Sequence, residues 1–563
     1  MSEQQGIHPH VIPEIEDWPI YKIHANRKDF IKEIDQFTLE RLQQLYPNQL
    51  EDIIAKTIYK ERIRMKEEPW KVDPPKDRQF WRRIRSQLFD RQGDRSKEEQ
   101  QTTEKQLLGR IIHRYSEEIV GTFKIKTFLF ARRFLTLFFT RLLNTAAARN
   151  FYQIWGSKYR LVDRLLVQGE VDKIRALMKK GTVVVVPTHF SNLDSILIGY
   201  ALDTFAGLPS FSYGAGLNLY NTGYTAYFMN RLGAYRVDRR KKNPIYLETL
   251  KAMSNLSVQH GTNSLFFPGG TRSRSGMLET KLKLGLLGTV VEAQRYKLQK
   301  GQGEKVFVVP LILSYHFVLE AEYLIEQHLK RIGKEKYIKA KDDFYSKRKI
   351  LKFAWKLFSK SNDIILSVGQ PMDVLGNYVD EEGESYDQYG NQLNIADYFK
   401  QGGEIVPDFQ REAEYTRLLS EQIVDRYFKD NIVLTSHLVA FAAFELLKRH
   451  FPKLDLYGLL SLPTDDFVFD QGELIDVVTQ LKAVLVDMQL AGKIKLAKEL
   501  AWEPKGIIHD GLRHLGNYHV RKPLRYNKQK EIISDSFKVL YYYHNRLENY
   551  GLAAKIVMAP QYV

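Results

Sequence analysis

Cysteine is absent from all 563 residues. That excludes disulfides, a thiolate nucleophile and Cys-ligated metals, and it fits a reducing compartment. Nor is there an apolar run of the roughly 20 residues that a spanning helix needs. The opening M-S-E-Q-Q-G-I-H-P-H lacks the basic start and apolar core of a secretory signal. No G-K-[ST] follows a glycine-rich turn, so there is no Walker loop. No paired histidines or carboxylates stand at ligand spacing, so no metal is expected, and no internal repeat or nucleic-acid recognition motif is evident. Acidic residues are outnumbered, 67 against 84 Lys and Arg, for a net charge of +17. The excess favours an anionic partner: nucleic acid, an acidic lipid surface or a phosphorylated ligand.

A chain of this length exceeds one hydrophobic core, and two or three domains are expected. Residues 1–150 read as helical, with D-F-I-K-E-I-D-Q-F-T-L-E-R-L-Q-Q-L at 29–45 showing helical spacing of apolar positions. Within that region 121–149 forms a basic, amphipathic segment in which Phe and Leu alternate with Lys124, Lys126, Arg132, Arg133 and Arg141. Such a helix can lie among lipid headgroups or pack as a core helix with solvated cations; both readings stay open. From 151 to 375 short β-branched runs alternate with helical stretches. T-V-V-V-V-P (182–187), S-L-F-F-P (264–268), V-F-V-V-P-L-I-L-S (306–314) and I-I-L-S-V (364–368) read as buried strands. That order predicts an α/β domain with a largely parallel sheet flanked by helices. Residues 376–407, acidic and rich in Gly, Asn and Tyr, read as a linker or insertion, and 408–563 is again mostly helical.

Two segments carry chemistry. In P-T-H-F-S-N-L-D (187–194) a histidine and an aspartate follow a strand, the position where α/β domains place reactive groups. Neutral imidazole accepts a proton near pH 7 and does so better when a carboxylate orients it. Asp194 reaches back to His189 only if a turn, not a helix, separates them; the bland alternative is a set of capping residues beside a bystander histidine. In F-F-P-G-G-T-R-S-R-S-G (266–276) a glycine turn carries Arg272 and Arg274 with the hydroxyls of Thr271 and Ser273. Backbone N–H groups and guanidinium forks of this kind bind phosphate. His316 and His437 read as structural.

Two further blocks, G-A-Y-R-V-D-R-R (233–240) and V-V-P-L-I-L-S-Y (308–315), complete an ordered set of four. Together with T-H-F-S-N-L-D and F-P-G-G-T-R-S they resemble the glycerolipid acyltransferase superfamily, and most of all its bacterial membrane-associated glycerol-3-phosphate acyltransferases. The resemblance covers roughly 155–375. It implies transfer of an acyl group from acyl-CoA or acyl-carrier protein to the sn-1 hydroxyl of glycerol 3-phosphate, with no cofactor. His189 would be the general base, oriented by Asp194. Arg239, Gly270, Thr271, Arg272, Ser273, Arg274 and Lys283 would bind the acceptor phosphate, and Pro310 and Leu311 would wall the acyl pocket or serve the fold. Lysophosphatidate as acceptor, and a non-enzymatic basic membrane-binding protein, are the alternatives. The resemblance also implies a peripheral position on the cytoplasmic membrane face, against anionic lipids. One departure stands out: Gly269 occupies a position where the family usually carries Glu, with Asp238 and Glu279 as candidates to replace it.

Overall fold

The structure, a computed structural model, describes residues 7–47, 49–89, 97–143, 165–220, 223–333, 363–464 and 467–557. Positions 144–164, the end of the basic segment and the start of the expected α/β domain, lie outside the described residues, as does the side chain of Arg141.

Six helices come first: α1 (Pro19–Ala25), α2 (Arg27–Leu45), α3 (Leu50–Glu67), α4 (Asp77–Phe89), α5 (Lys97–Ile119) and α6 (Ile125–Leu143). The α/β part follows as β1 (Leu165–Gly169), α7 (Val171–Leu177), β2 (Gly181–Pro187), α8 (Asp194–Thr204), β3 (Ser212–Gly216), α9 (Gly223–Met229), β4 (Ala234–Val237), α10 (Pro244–Gln259), β5 (Ser264–Leu265), α11 (Leu284–Gln299), β6 (Lys305–Tyr315), α12 (Ala321–Arg331) and β7 (Ile364–Val368). Its seven strands lie in the order β1-β7-β6-β2-β5-β3-β4. The five from β6 to β4 are mutually parallel, whereas β7 runs antiparallel to β6 and carries β1 with it.

The valine run explains why this sheet is buried on both faces. Successive strand side chains point to opposite sides. Val183 and Val185 enter one core with α8 and α12, while Val184 and Val186 enter another with α11. Strand β6 divides in the same way, Phe307, Val309, Leu311 and Leu313 on one side and Val306, Val308 and Ile312 on the other. Polar alternation is therefore absent, as a doubly covered sheet requires.

Three of these strands, β1, β3 and β4, are not evident from the apolar pattern. Strand β3 reads S-Y-G-A-G and β4 is short and edge-placed, so neither has a β-branched run. Conversely, the run 264–268 yields only a two-residue strand, because Pro268 has no N–H and the chain turns at Gly269 and Gly270.

The flanking helices share cores with the sheet part. Phe30, Ile31, Ile34 and Leu42 of α2 pack with Ile111 and Tyr115 of α5 and with Tyr246, Met253 and Leu256 of α10. Arg41 of α2 pins this contact with 2.7 Å ion pairs to both Glu248 and Glu292. After β7 come β8 (Tyr378–Val379), β9 (Ser385–Tyr386) and β10 (Gln392–Leu393), then α13 (Phe409–Lys429), α14 (Thr435–His450), α15 (Gln471–Leu490), α16 (Pro504–His514) and α17 (Phe537–His544). Helix α14 is buried along almost its whole length, in the same core as Leu311 and Leu313.

Residues 373–393 correct the expectation that no repeat exists. D-V-L-G-N-Y-V, D-E-E-G-E-S-Y and D-Q-Y-G-N-Q-L share one turn geometry. In each, the aspartate Oδ1 accepts the N–H four residues on: Asn377 for Asp373, Glu384 for Asp380, Asn391 for Asp387. The glycines Gly376, Gly383 and Gly390 all adopt positive φ. The segment read as linker or insertion is thus a small three-stranded meander, with Val379 fully buried.

Candidate active site

Strand β2 ends at Pro187, and α8 begins at Asp194. Between them the chain turns, which lets Asp194 reach back. Its Oδ2 accepts the N–H groups of Phe190 at 2.6 Å and Ser191 at 2.9 Å and lies 2.8 Å from His189 Nδ1. Its Oδ1 accepts the Tyr315 hydroxyl at 2.6 Å. A carboxylate that is wholly buried needs such a set of donors. Because an ionised carboxylate only accepts, Nδ1 carries the proton and Nε2 is left with its lone pair. The imidazole also stacks on Phe267, ring centroids 4.1 Å apart. The turn between strand and helix, not helical spacing, makes the five-residue separation productive.

The second turn lies directly against the first. Ser273 N–H donates to His189 O at 2.7 Å, and His189 N–H donates to Glu279 Oε1 at 3.1 Å. Gly270 has φ +77°, and a Cβ there would stand 2.7 to 2.8 Å from the end of the Lys283 side chain. Glycine is favoured here by the left-handed backbone, and the end of the flexible lysine lies across the space it leaves. Arg239, Arg272 and Arg274 converge: partial enclosure and then the charges of the other two hold the Arg239 guanidinium below its usual range. Arg272 is tethered to Glu320 at 3.1 Å, whereas Arg239, Arg274 and Lys283 have no ion-pair partner among the described residues. Converging guanidinium groups with so little compensation favour an anion.

Other expected residues have narrower parts. The Ser273 hydroxyl is spent on Met277 O at 2.7 Å, and its amide on His189, so Ser273 shapes the turn and offers no free donor. The Gly270 amide is likewise used, by Phe267 O. The amides of Thr271 and Arg272 make no hydrogen bond among the described residues. Pro310 and Leu311 are buried residues of β6, paired with Val186 and Pro187, and belong to the sheet. Arg240 is bound up with Asp238 and Asp73, which also occupies Asp238. His316 and His437 are buried, against Ser436 Oγ and Tyr315 O, and burial holds both well below the ordinary histidine value.

Two residues at the site, Glu320 and Arg546, carry no sequence signal strong enough to find them. Glu320 receives Ser191 Oγ and Asn192 N–H, each at 3.0 Å, as well as Arg272, so it ties the two turns together. It stands five residues past Tyr315, and only that proximity to the fourth block hinted at it. Glu279, already singled out in the sequence, is enclosed, with one oxygen, Oε2, buried and without a partner among the described residues; burial pushes its carboxyl up to about 7. Arg546, from beyond α17, lies 4.5 Å from the Phe190 ring and donates to Leu313 O at 2.8 Å. Nothing in the sequence marks a residue so distant as part of this site.

Residues 168–314 match the family model described as Acyltransferase. Over 238 residues the chain is 30% identical to the glycerol-3-phosphate acyltransferase of Aeromonas hydrophila, covering 42% of this chain and 27% of that one. It is 28% identical over 232 residues to the protein of the same name from Pseudoalteromonas atlantica, 41% and 26% of the two chains. The chain thus spans about a quarter of the length of these curated relatives. A solved 1-acyl-sn-glycerophosphate acyltransferase from Thermotoga maritima, 14% identical, covers 53% of this chain and 95% of its own at a TM-score of 0.24. The turns that hold His189, Asp194, Arg239 and Arg272 all fall within the span, residues 168–314, that matches the Acyltransferase model.

Proposed function

We propose that the protein is a glycerol-3-phosphate 1-O-acyltransferase. The observation that carries this reading is the joining of an oriented base and an arginine cluster by one backbone bond, Ser273 N–H to His189 O at 2.7 Å. The acceptor phosphate binds Arg239, Arg272 and Arg274, with Lys283 across the glycine turn. This sets the sn-1 hydroxyl beside His189 Nε2. As the hydroxyl oxygen attacks the thioester carbonyl of acyl-CoA or acyl-carrier protein, its proton passes to Nε2, and Asp194 stabilises the imidazolium that forms. The carbonyl oxygen gains charge and turns to the free amides of Thr271 and Arg272. Collapse expels the thiolate, which takes the proton back from His189. The reaction so written needs no cofactor.

The working place is an anionic membrane surface. Helix α6 packs Ala131 and Phe139 inward and leaves Leu129, Phe130, Phe134 and Leu137 exposed beside Lys126 and Arg133. Arg132 is excluded from this face by its bidentate pair with Asp203, at 2.6 and 2.7 Å. No helix among the described residues is long and apolar enough to cross a membrane, and this face supports peripheral binding.

The test is acyl transfer from palmitoyl-CoA to glycerol 3-phosphate in anionic-lipid micelles, with wild type and His189→Ala in parallel. Product from wild type alone is expected. Product only with lysophosphatidate would move the acceptor to the sn-2 position, and equal product from both proteins would remove His189 as the base.

A further inference from the structure

The last helix grips both reactive turns, although it lies more than 200 residues beyond the matched domain. Asn545 Nδ2 donates to Ser275 O at 2.8 Å. Gly276, with φ +89°, is pressed so closely on Tyr542 O that a Cβ would stand 2.0 Å away. Arg546 covers Phe190, the neighbour of His189. The Val318 N–H donates to the Tyr543 hydroxyl at 2.9 Å, just before Glu320. One ten-residue segment therefore fixes the far end of the anion turn, the base turn and the approach to Glu320.

Within this grip one group is unspent. The Tyr542 hydroxyl is buried and has no hydrogen-bond partner among the described residues. It lies in the electrostatic field of Glu320, Asp194 and Arg272. A buried hydroxyl left unpaired costs stability, so its value must appear in another state of the site. That state follows from Arg272. Arg272 is held by Glu320 at 3.1 Å. A phosphate at Arg239 and Arg274 competes for the same guanidinium. When Arg272 turns to it, Glu320 becomes a buried carboxylate short of one donor.

We propose that Phe537–Arg546 is a working part of the anion site and that Tyr542 is its positioning residue. Its hydroxyl donates to Glu320 when a bound phosphate draws Arg272 away. The proposal rests on the acceptor reading above for its biological setting, but its test does not.

Binding of inorganic phosphate to the full chain is measured by calorimetry for wild type, Tyr542→Phe, Glu320→Gln and the double variant, with a thermal melt of each. Removing the unpaired hydroxyl should leave the melting temperature of Tyr542→Phe unchanged or raised while phosphate affinity falls about 5-fold. The Tyr542→Phe effect on affinity should vanish in the Glu320→Gln background. Unchanged affinity in Tyr542→Phe, strict additivity of the pair, or no phosphate binding by wild type would each overturn the proposal. A loss of affinity matched by a loss of melting temperature would do the same, since it marks a merely structural tyrosine. Phosphate binding without acyl transfer to glycerol 3-phosphate would instead refute the acceptor reading and leave this inference standing.

Discussion

Glu279 fills the space that a side chain on Gly269 would need. A Cβ at 269 would stand 3.0 Å from Glu279 Cγ and 3.1 Å from its Oε1, the same oxygen that accepts the His189 amide. The carboxyl is delivered from ten residues along the chain, and the glycine is what admits it. Of the two acids singled out in the sequence, Glu279 faces the reactive turns, whereas Asp238 is engaged by Arg240.

This pairing makes Gly269 and Glu279 interdependent. Gly269→Ala should force Glu279 off the His189 amide, lowering turnover about 10-fold and stability by ~1–3 kcal/mol. In a Glu279→Ala background the same change should cost far less, because the obstructing carboxyl is gone. Thermal melts and turnover of the four proteins decide this; equal cost in both backgrounds would break the link.

Glu279 should also leave a mark on stability as pH changes. Burial pushes its carboxyl from 4.5 up to about 7. Below about pH 4.5 both folded and unfolded chains hold the proton and nothing is lost. Between that value and about 7 the unfolded chain ionises first, so folded-state stability falls. Above it the deficit is constant, roughly 3 kcal/mol. Glu279→Gln removes the titration, so its stability relative to wild type should climb across that window and then level off. Denaturant melts from pH 4 to 9 measure the difference, and a difference flat with pH would mean the carboxyl is not raised.

The contrast between what the sequence revealed and what it hid has a physical basis. The valine run of β2 and the eight-residue apolar run 306–313 of β6 announce themselves because a strand buried on both faces has almost no polar positions to disguise it. His189, Asp194 and the arginine turn were legible because they follow such strands directly. Strand β3, built from Ser, Tyr, Gly, Ala and Gly, has no such signature, and its place is fixed by pairing with β4 and β5. Glu320, Tyr542, Asn545 and Arg546 act through contacts made only when distant segments meet. The seven-residue repeat was visible in D-x-x-G but lies in a polar stretch, where apolar periodicity gives no help.

Asp194 should matter beyond its charge. Its two oxygens accept from Phe190, Ser191 and Tyr315 and face His189 Nδ1. Asp194→Asn cannot satisfy all four, because one oxygen becomes a donor. The amide would face either the Tyr315 hydroxyl or the His189 ring, and the second choice leaves the imidazole in the wrong tautomer. Turnover should fall by about 10³-fold or more. Asp194→Ala would also leave buried donors unpaired and should lose ~3 kcal/mol or more of stability. Single-turnover rates and melts of both variants separate the two effects, and near-normal turnover in Asp194→Asn would show that the carboxylate does not orient the base.

The exposed face of α6 sets a different kind of expectation. Phe130 and Phe134 are 59% and 53% exposed, with Arg133 between them and Tyr227 of α9, 48% exposed, nearby through the stacking of Phe130 on Phe228. Aromatic rings alone would bind neutral and anionic bilayers alike; the cations add about 1 kcal/mol each only on an anionic surface and lose it as salt rises. Phe134→Glu should therefore weaken binding to phosphatidylglycerol vesicles at every salt concentration. Arg133→Gln should weaken it chiefly at low salt and leave the residual apolar affinity intact. Neither residue touches the reactive turns, so turnover with a water-soluble short-chain acyl-CoA should be unchanged in both. Vesicle sedimentation across a salt series reads the two contributions separately. If both variants sediment like wild type, the face is a solvated helix surface and membrane contact must be sought elsewhere on the chain.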